Sequence, residues 1–174
     1  MGERETEFSG PGVRPTCGEG MTLEGENDLR EWIVAWAREG FCCAQIMVLA
    51  GLAYRGEEDR NLVAAANGLC QGAFSRGNTC GALTGAACLL GLYAGKGEAE
   101  DLRDPRLRLM AEELNQWFRE TQTGGTGGVR CGDLLGETVR EPDPLRCLHL
   151  VQHTLTRTLE ILQSHGVDLF GASS

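Results

Sequence analysis

Lysine is almost absent: Lys96 is the single one among 174 residues, and the arginines are scattered rather than run together. With 25 acidic against 16 basic residues, the formal net charge is -9. Nucleic-acid backbones demand a high density of Lys and Arg, so a nucleic-acid partner is excluded. The same shortage excludes a basic helix lying on a membrane surface. Long apolar runs are missing too. The longest, 82–94, is shorter than the roughly 20 residues of a spanning helix and contains Gly85 and Gly91. The opening Met-Gly-Glu-Arg-Glu-Thr-Glu is charged where a secretion signal is apolar, which leads us to expect a cytoplasmic location.

Several short patterns are absent as well. No C-x-x-C occurs, which removes zinc-ribbon and thioredoxin spacings, and no C-x-x-C-H occurs, which removes covalent haem attachment. The glycine-rich Thr123-Gly-Gly-Thr-Gly-Gly128 fails the G-x-G-x-x-G spacing at Arg130 and follows no strand, so it reads as a loop rather than a nucleotide cradle. Only three histidines exist. None is placed to serve a nucleophilic Ser or Cys as base, which makes a hydrolase of that type improbable.

The chain does contain helical periodicity and eight cysteines. Residues 1–25 are polar and glycine-rich, with Pro11 and Pro15, and read as a flexible tail carrying a Cys17 of no consequence. A single domain is expected over 26–168. Leu29, Trp32, Ile33 and Trp36 follow i, i+3, i+4, i+7 in a helix that Gly40 closes. A second helix is expected from Phe41 to Tyr54, apolar nearly all round and therefore central, and a third from Glu57 to Leu69. After a glycine-punctuated loop, Asn78 or Thr79 is placed to cap a fourth helix, Cys80 to Tyr93. Its Gly81, Ala82, Gly85, Ala86 and Ala87 let another backbone come close. A fifth follows Pro105, with Leu107, Met110, Leu114, Trp117 and Phe118 on one stripe. A short helical turn over 131–135 leads through Pro142 and Pro144 to a final helix, Leu145 to His165. No strand pattern and no internal repeat is evident, so the expected fold class is all-α: a compact bundle of about six helices.

Cys43, Cys80, Cys131 and Cys147 each fall where a helix is expected to begin. A helix start carries roughly half a positive charge and unpaired N–H groups, which favour thiolate over thiol. On the last helix, at about 100° per residue and with Leu148 at zero, Val151, Leu155, Leu159 and Leu162 lie within about 60°. Cys147, at about -100°, joins the apolar side, whereas His149 and His153, at about +100° and +140°, fall outside it and read as solvated. Cys88 sits among apolar residues and is expected in the core. Disulfides are rare in a reducing compartment, so the cysteines read as metal ligands, redox groups or small buried hydrophobes.

Four fragments now fall into one order: Gly40-Phe41-Cys42-Cys43-Ala44-Gln45, Cys80-Gly81-Ala82-Leu83-Thr84-Gly85, Cys131-Gly-Asp-Leu-Leu-Gly136 and Cys147. Together they resemble the C-GCAxxG-C-C family of small redox-active proteins, over about Asp28 to Leu162. The resemblance implies an all-helical domain whose four characteristic cysteines correspond to Cys43, Cys80, Cys131 and Cys147. Family members tend to occur beside oxidoreductase or transporter genes in anaerobic bacteria and archaea. The family also looks related to the iron–sulfur part of split-Soret cytochrome c, a dimeric electron-transfer protein, which implies a cluster and suggests a homodimer. The chain departs from the pattern before Cys80, where Cys70-Gln71-Gly72 and Arg76-Gly77-Asn78 replace a glycine run and R-G-E. Cys17, Cys42, Cys70 and Cys88 are additional; Cys42 could replace Cys43 or resolve a disulfide, and Cys70 could serve as an alternate ligand.

The leading expectation is an iron–sulfur cluster of unspecified type on Cys43, Cys80, Cys131 and Cys147, passing electrons to or from a partner oxidoreductase or other redox protein. A thiol–disulfide oxidoreductase cycling Cys43 and Cys80, with no cofactor, is the second. The third is a structural zinc on the same four sulfurs.

Overall fold

The computed structural model describes residues 26–135 and 144–170. The expected tail with Cys17, and Gly136 and Pro142, lie outside the described residues. Among the described residues, seven helices carry the fold: α1 (Glu26–Arg38), α2 (Cys43–Arg55), α3 (Arg60–Ala66), α4 (Gly81–Ala94), α5 (Arg106–Thr121), α6 (Cys131–Leu135) and α7 (Pro144–Ser164). A 3-10 turn, Asn67–Leu69, and a kinked helical turn, Cys70–Ala73, follow α3. Among the described residues no strand forms, and the sole β-type pairing is an isolated antiparallel bridge between Thr79 and Arg130. The fold is all-α, as its periodicity predicts.

The helices stop and start for local reasons. Gly40, at φ 91°, ends α1; its N–H donates to the Ala37 carbonyl at 3.1 Å and that of Phe41 to Trp36 at 3.0 Å. This left-handed cap consumes Phe41, so α2 begins two residues later than predicted. Cys42 is its N-cap, and its backbone N–H is bonded by the Gln45 side chain at 3.2 Å. The third helix also begins late, at Arg60, because the Asp59 carboxylate accepts the N–H groups of Asn61 and Leu62 and makes Asp59 the cap. It ends at Ala66, where the chain tightens into the 3-10 turn instead of continuing to Leu69. Neither Asn78 nor Thr79 caps α4: Cys80 occupies the N-cap position, without a side-chain cap.

Helix α2 packs most extensively against α4, and α4 also lies against α5 and α7, with α1 on α7. These two middle helices are the centre of the bundle, as their composition predicts. Met47, Ala50, Ala86, Leu89 and Leu90 are all fully buried, with Phe118, Leu114 and Met110 of α5 and Leu155 and Leu162 of α7 around them. The two backbones meet at Gly85, where an added Cβ would stand 2.7 Å from the Ala44 Cα and 2.9 Å from its carbonyl oxygen. On α7 the buried face includes Thr154 and Thr158, whose hydroxyls donate to the carbonyls of Leu150 and Thr154 and so enter the core satisfied. His149 and His153 are exposed, as predicted from the wheel. His165, at the end of α7, lies 3.1 Å from a Glu113 carboxylate oxygen and ties the helix to α5.

Candidate functional site: a four-cysteine cavity

Each of the four cysteines reaches its place through a different backbone device. Cys43 is the first residue of α2, Cys80 the N-cap of α4, Cys131 the first residue of α6, and Cys147 lies in the first turn of α7. Cys80 and Cys131 are set side by side by the pairing of their leading segments. The Cys80 N–H donates to Val129 at 2.8 Å, the Cys131 N–H to Asn78 at 3.0 Å, and the Gly132 N–H to Arg76 at 2.8 Å. Cys43 is brought to Cys80 by the absence of a side chain: a Cβ on Gly81 would lie 2.5 Å from the Cys43 sulfur and 3.0 Å from the Leu69 carbonyl oxygen. The glycine therefore leaves the space that the sulfur occupies.

All four cysteines line one cavity of about 30 Å³, closed by Gln71, Ala82, Leu135 and Leu150. No charged side chain is among these walls. Among the described residues, no three of the His, Cys, Asp and Glu side chains are gathered closely enough to hold one metal ion as they stand.

The protonation of the site corrects the expectation from helix starts. Cys80 is pushed up to about 12, first by burial and then by the Cys43 sulfur, against an opposing pull from the Ala82 N–H, with lesser upward contributions from Cys131 and Cys147. Burial also raises Cys43, although the N–H groups of Gln71, Ala44 and Cys43 itself favour its thiolate. Cys131 is raised by burial and pulled back by the Arg76 guanidinium. Dehydration of a thiolate in an apolar cavity outweighs the partial charge of a helix end. Without metal, Cys43, Cys80 and Cys131 are each held toward the neutral thiol.

This has a measurable consequence. Cys80 ionises at about 12 in the folded chain against an ordinary 9.0, so above about pH 9 the unfolded state releases a proton that the folded state keeps. The stability from the neutral thiol is complete below that pH and is lost as pH climbs toward 12. Urea unfolding of the metal-free protein should show the decline, Cys80 contributing on the order of 4 kcal/mol at about 1.4 kcal/mol per pH unit. A Cys80→Ser protein should decline less steeply.

The additional cysteines divide differently from the sequence reading. Cys42 and Cys70 form a disulfide across 28 residues, with Cα atoms 6.0 Å apart, and it is Cys43, not Cys42, that lines the cavity. The expectation that the cysteines would be ligands, thiols or core residues missed this bond, because only folding brings the end of the 3-10 turn against the start of α2. Cys88, expected in the core, is exposed. It lies on the outer stripe of α4 with Ala87, while Leu89 and Leu90 take the inward positions. Sequence reasoning also missed Gln71 and Arg76, which act on the cysteines through a backbone N–H and a guanidinium. The departure from the family's glycine run was the available signal at Gln71, whereas Arg76 coincides with the arginine of the family's R-G-E.

This all-α, cysteine-rich protein gathers four sulfurs from distant segments into one apolar-walled cavity, an arrangement suited to cysteine chemistry. The profile of the family described as "Putative redox-active protein (C_GCAxxG_C_C)" matches residues 41–161, more than half of the chain, and the chain belongs to that family. The matched span contains Cys43, Cys80, Cys131 and Cys147. No curated protein and no solved structure matches the chain. Among the described residues, no helix is long and apolar enough to cross a membrane.

Proposed function

We propose that the protein binds an iron–sulfur cluster through Cys43, Cys80, Cys131 and Cys147 and exchanges single electrons with a partner oxidoreductase. The observation that carries this reading is the shared cavity: four sulfurs from four separated segments, with no competing ligand and no charged wall. The donor set fits the group. Four thiolates suit an iron–sulfur core, whose cationic irons offset the repulsion between the sulfurs. A single zinc asks for Zn–S distances of about 2.3 Å, hence sulfurs about 3.8 Å from one another. A cluster distributes its ligands over several irons and so accepts a wider spacing of sulfurs.

The thiol–disulfide reading of Cys43 and Cys80 is less well supported. A reactive thiol needs a low pKa and access, whereas burial raises both groups and Cys80 is 4 % exposed.

When bound, the cluster would supply a reversible one-electron couple. The residues of this chain do the rest. The N–H groups of Gln71 and Ala44 are aimed at the Cys43 sulfur, and that of Ala82 at Cys80, so each would stabilise negative charge on a ligand. Arg76 places positive charge near Cys131. Ala82, Leu135 and Leu150 keep the site dry. A reducing cytoplasm would keep the four thiols available for loading.

The test is anaerobic purification with iron, sulfide and zinc measured beside visible and paramagnetic spectra. Iron and sulfide in comparable amounts, with a coloured product that is bleached on reduction, is the expected result. A colourless, iron-free protein that cannot be reconstituted overturns the reading, and zinc at one per chain replaces it with the structural one.

A further inference from the structure

Cys42 and Cys70 stand outside the four-cysteine cavity but flank it. Cys42 immediately precedes Cys43. Cys70 immediately precedes Gln71, which lines the cavity and directs its N–H at the Cys43 sulfur. The bond therefore clamps together the two backbone segments that hold Cys43 and cover it.

The segment behind Cys70 is conformationally unusual. Gln71, Gly72, Ala73 and Phe74 have φ of 52°, 65°, 54° and 60°, and Arg76 follows at 54°. L-residues enter this left-handed region singly, not in succession, so such a run persists only where its surroundings impose it. Here the restraints are identifiable. Arg76 is held by the Gly132 N–H at 2.8 Å, Gly72 lies against Asn78 so closely that a Cβ would come within 2.6 Å of its carbonyl oxygen, and Cys70 is held by Cys42. Releasing the last of these frees one end of a wall under conformational strain.

The two sulfurs are also unequal. Cys42 is half-buried and Cys70 buried. An incoming thiol reaches Cys42, and Cys70 is the leaving group. The Asn67 Oδ1 oxygen lies 3.3 Å from the Cys70 sulfur, placed to accept an S–H bond that exists only after reduction.

We propose that Cys42 and Cys70 form a second redox site, a two-electron disulfide reduced by a dithiol protein, and that its state controls how tightly the 70–76 wall closes the four-cysteine cavity. In the reductive step a partner thiolate attacks the Cys42 sulfur, the Cys42–Cys70 bond breaks, and Cys70 leaves as a thiolate that takes up a proton. The partner's second thiol then attacks the mixed disulfide, releasing Cys42 as a thiol and leaving the partner oxidised by two electrons. The inference rests on the cavity being the functional site but not on which cofactor, if any, it holds.

The test uses the full chain, free of metal, with the disulfide closed or opened by dithiothreitol. Labelling of Cys80 and Cys131 by iodoacetamide is followed by peptide mass spectrometry. Opening should accelerate labelling of both at least about tenfold, while the exposed Cys88 labels at an unchanged rate. A Cys42→Ser/Cys70→Ser protein should behave as the open form without any reductant. The proposal is overturned if dithiothreitol at neutral pH leaves the bond intact, or if Cys80 and Cys131 label equally fast in both states of the wild-type chain. An iron-free preparation would sink the cluster while leaving this experiment readable. Equal labelling in a chain that does bind a cluster would sink the switch alone.

Discussion

A Gly81→Ala protein is expected to fold and yet to retain no more iron than a Cys43→Ser protein. The added methyl would lie 2.5 Å from the Cys43 sulfur and 3.0 Å from the Leu69 carbonyl oxygen, and the sulfur is the atom free to move, by rotating about its Cα–Cβ bond. Doing so takes it out of the cavity that it shares with Cys80, Cys131 and Cys147. Alanine improves helix propensity at the first position of α4, so the backbone has no reason to unfold. Loss of one ligand position should lower iron and sulfide retention by on the order of tenfold or more, the upper end of what ligand-orienting changes cost. The check is iron and sulfide per chain after anaerobic reconstitution, read beside the thermal midpoint. Iron retained at the level of the unaltered protein would remove Cys43 from the proposed ligand set.

Gly85→Val tests packing rather than chemistry, and its signature should be the reverse. One turn further along α4, the atoms in the way belong to the Ala44 backbone, at 2.7 and 2.9 Å, with the Met47 Cβ at 3.0 Å. None of these can rotate aside, so α2 and α4 must separate where their backbones meet. Overpacking of this kind costs about 3 kcal/mol or more when the obstacle is rigid. For a chain of this length that corresponds to a fall in Tm of about 6–12 °C, at about 2–4 °C per kcal/mol. Since the two helices also carry Cys43 and Cys80, iron content should fall only in proportion to the fraction unfolded. Calorimetry showing an unchanged midpoint would mean that the two backbones do not meet at Gly85.

Much of the fold was legible because helical periodicity is a local property. The stripe Leu29, Trp32, Ile33, Trp36, the stop at Gly40, the apolar second helix and the small residues of the fourth all rest on neighbours within a few turns. So does the outward placement of His149 and His153. The start of α2 was less legible, since Phe41 serves two helices at once and belongs to the cap of the first. The misplacing of Cys88 has a similar origin. A helix that is apolar or small on nearly every face does not reveal which stripe turns outward until its neighbours are in place.

The candidate site was legible as a set of residues but not as an environment. That Cys43, Cys80, Cys131 and Cys147 stand at or near helix starts follows from chain-local signals, and their order carried the family resemblance that the profile match establishes. Their protonation did not follow. The charge at a helix end is a short-range feature of the backbone, whereas the dryness around Cys80 depends on Leu135 and Leu150, far away in the chain.

The amino-acid sequence by itself determined the helices, the family, and the four cysteines worth watching, because propensity and motif order are written along the chain. Only the tertiary structure decided that these sulfurs share one cavity, that Cys42 pairs with Cys70, that Cys88 faces outward, and that burial raises Cys43, Cys80 and Cys131 against their helix ends. Those outcomes depend on which surfaces meet and how much water is expelled where they do, and both are set by contacts between residues tens of positions apart.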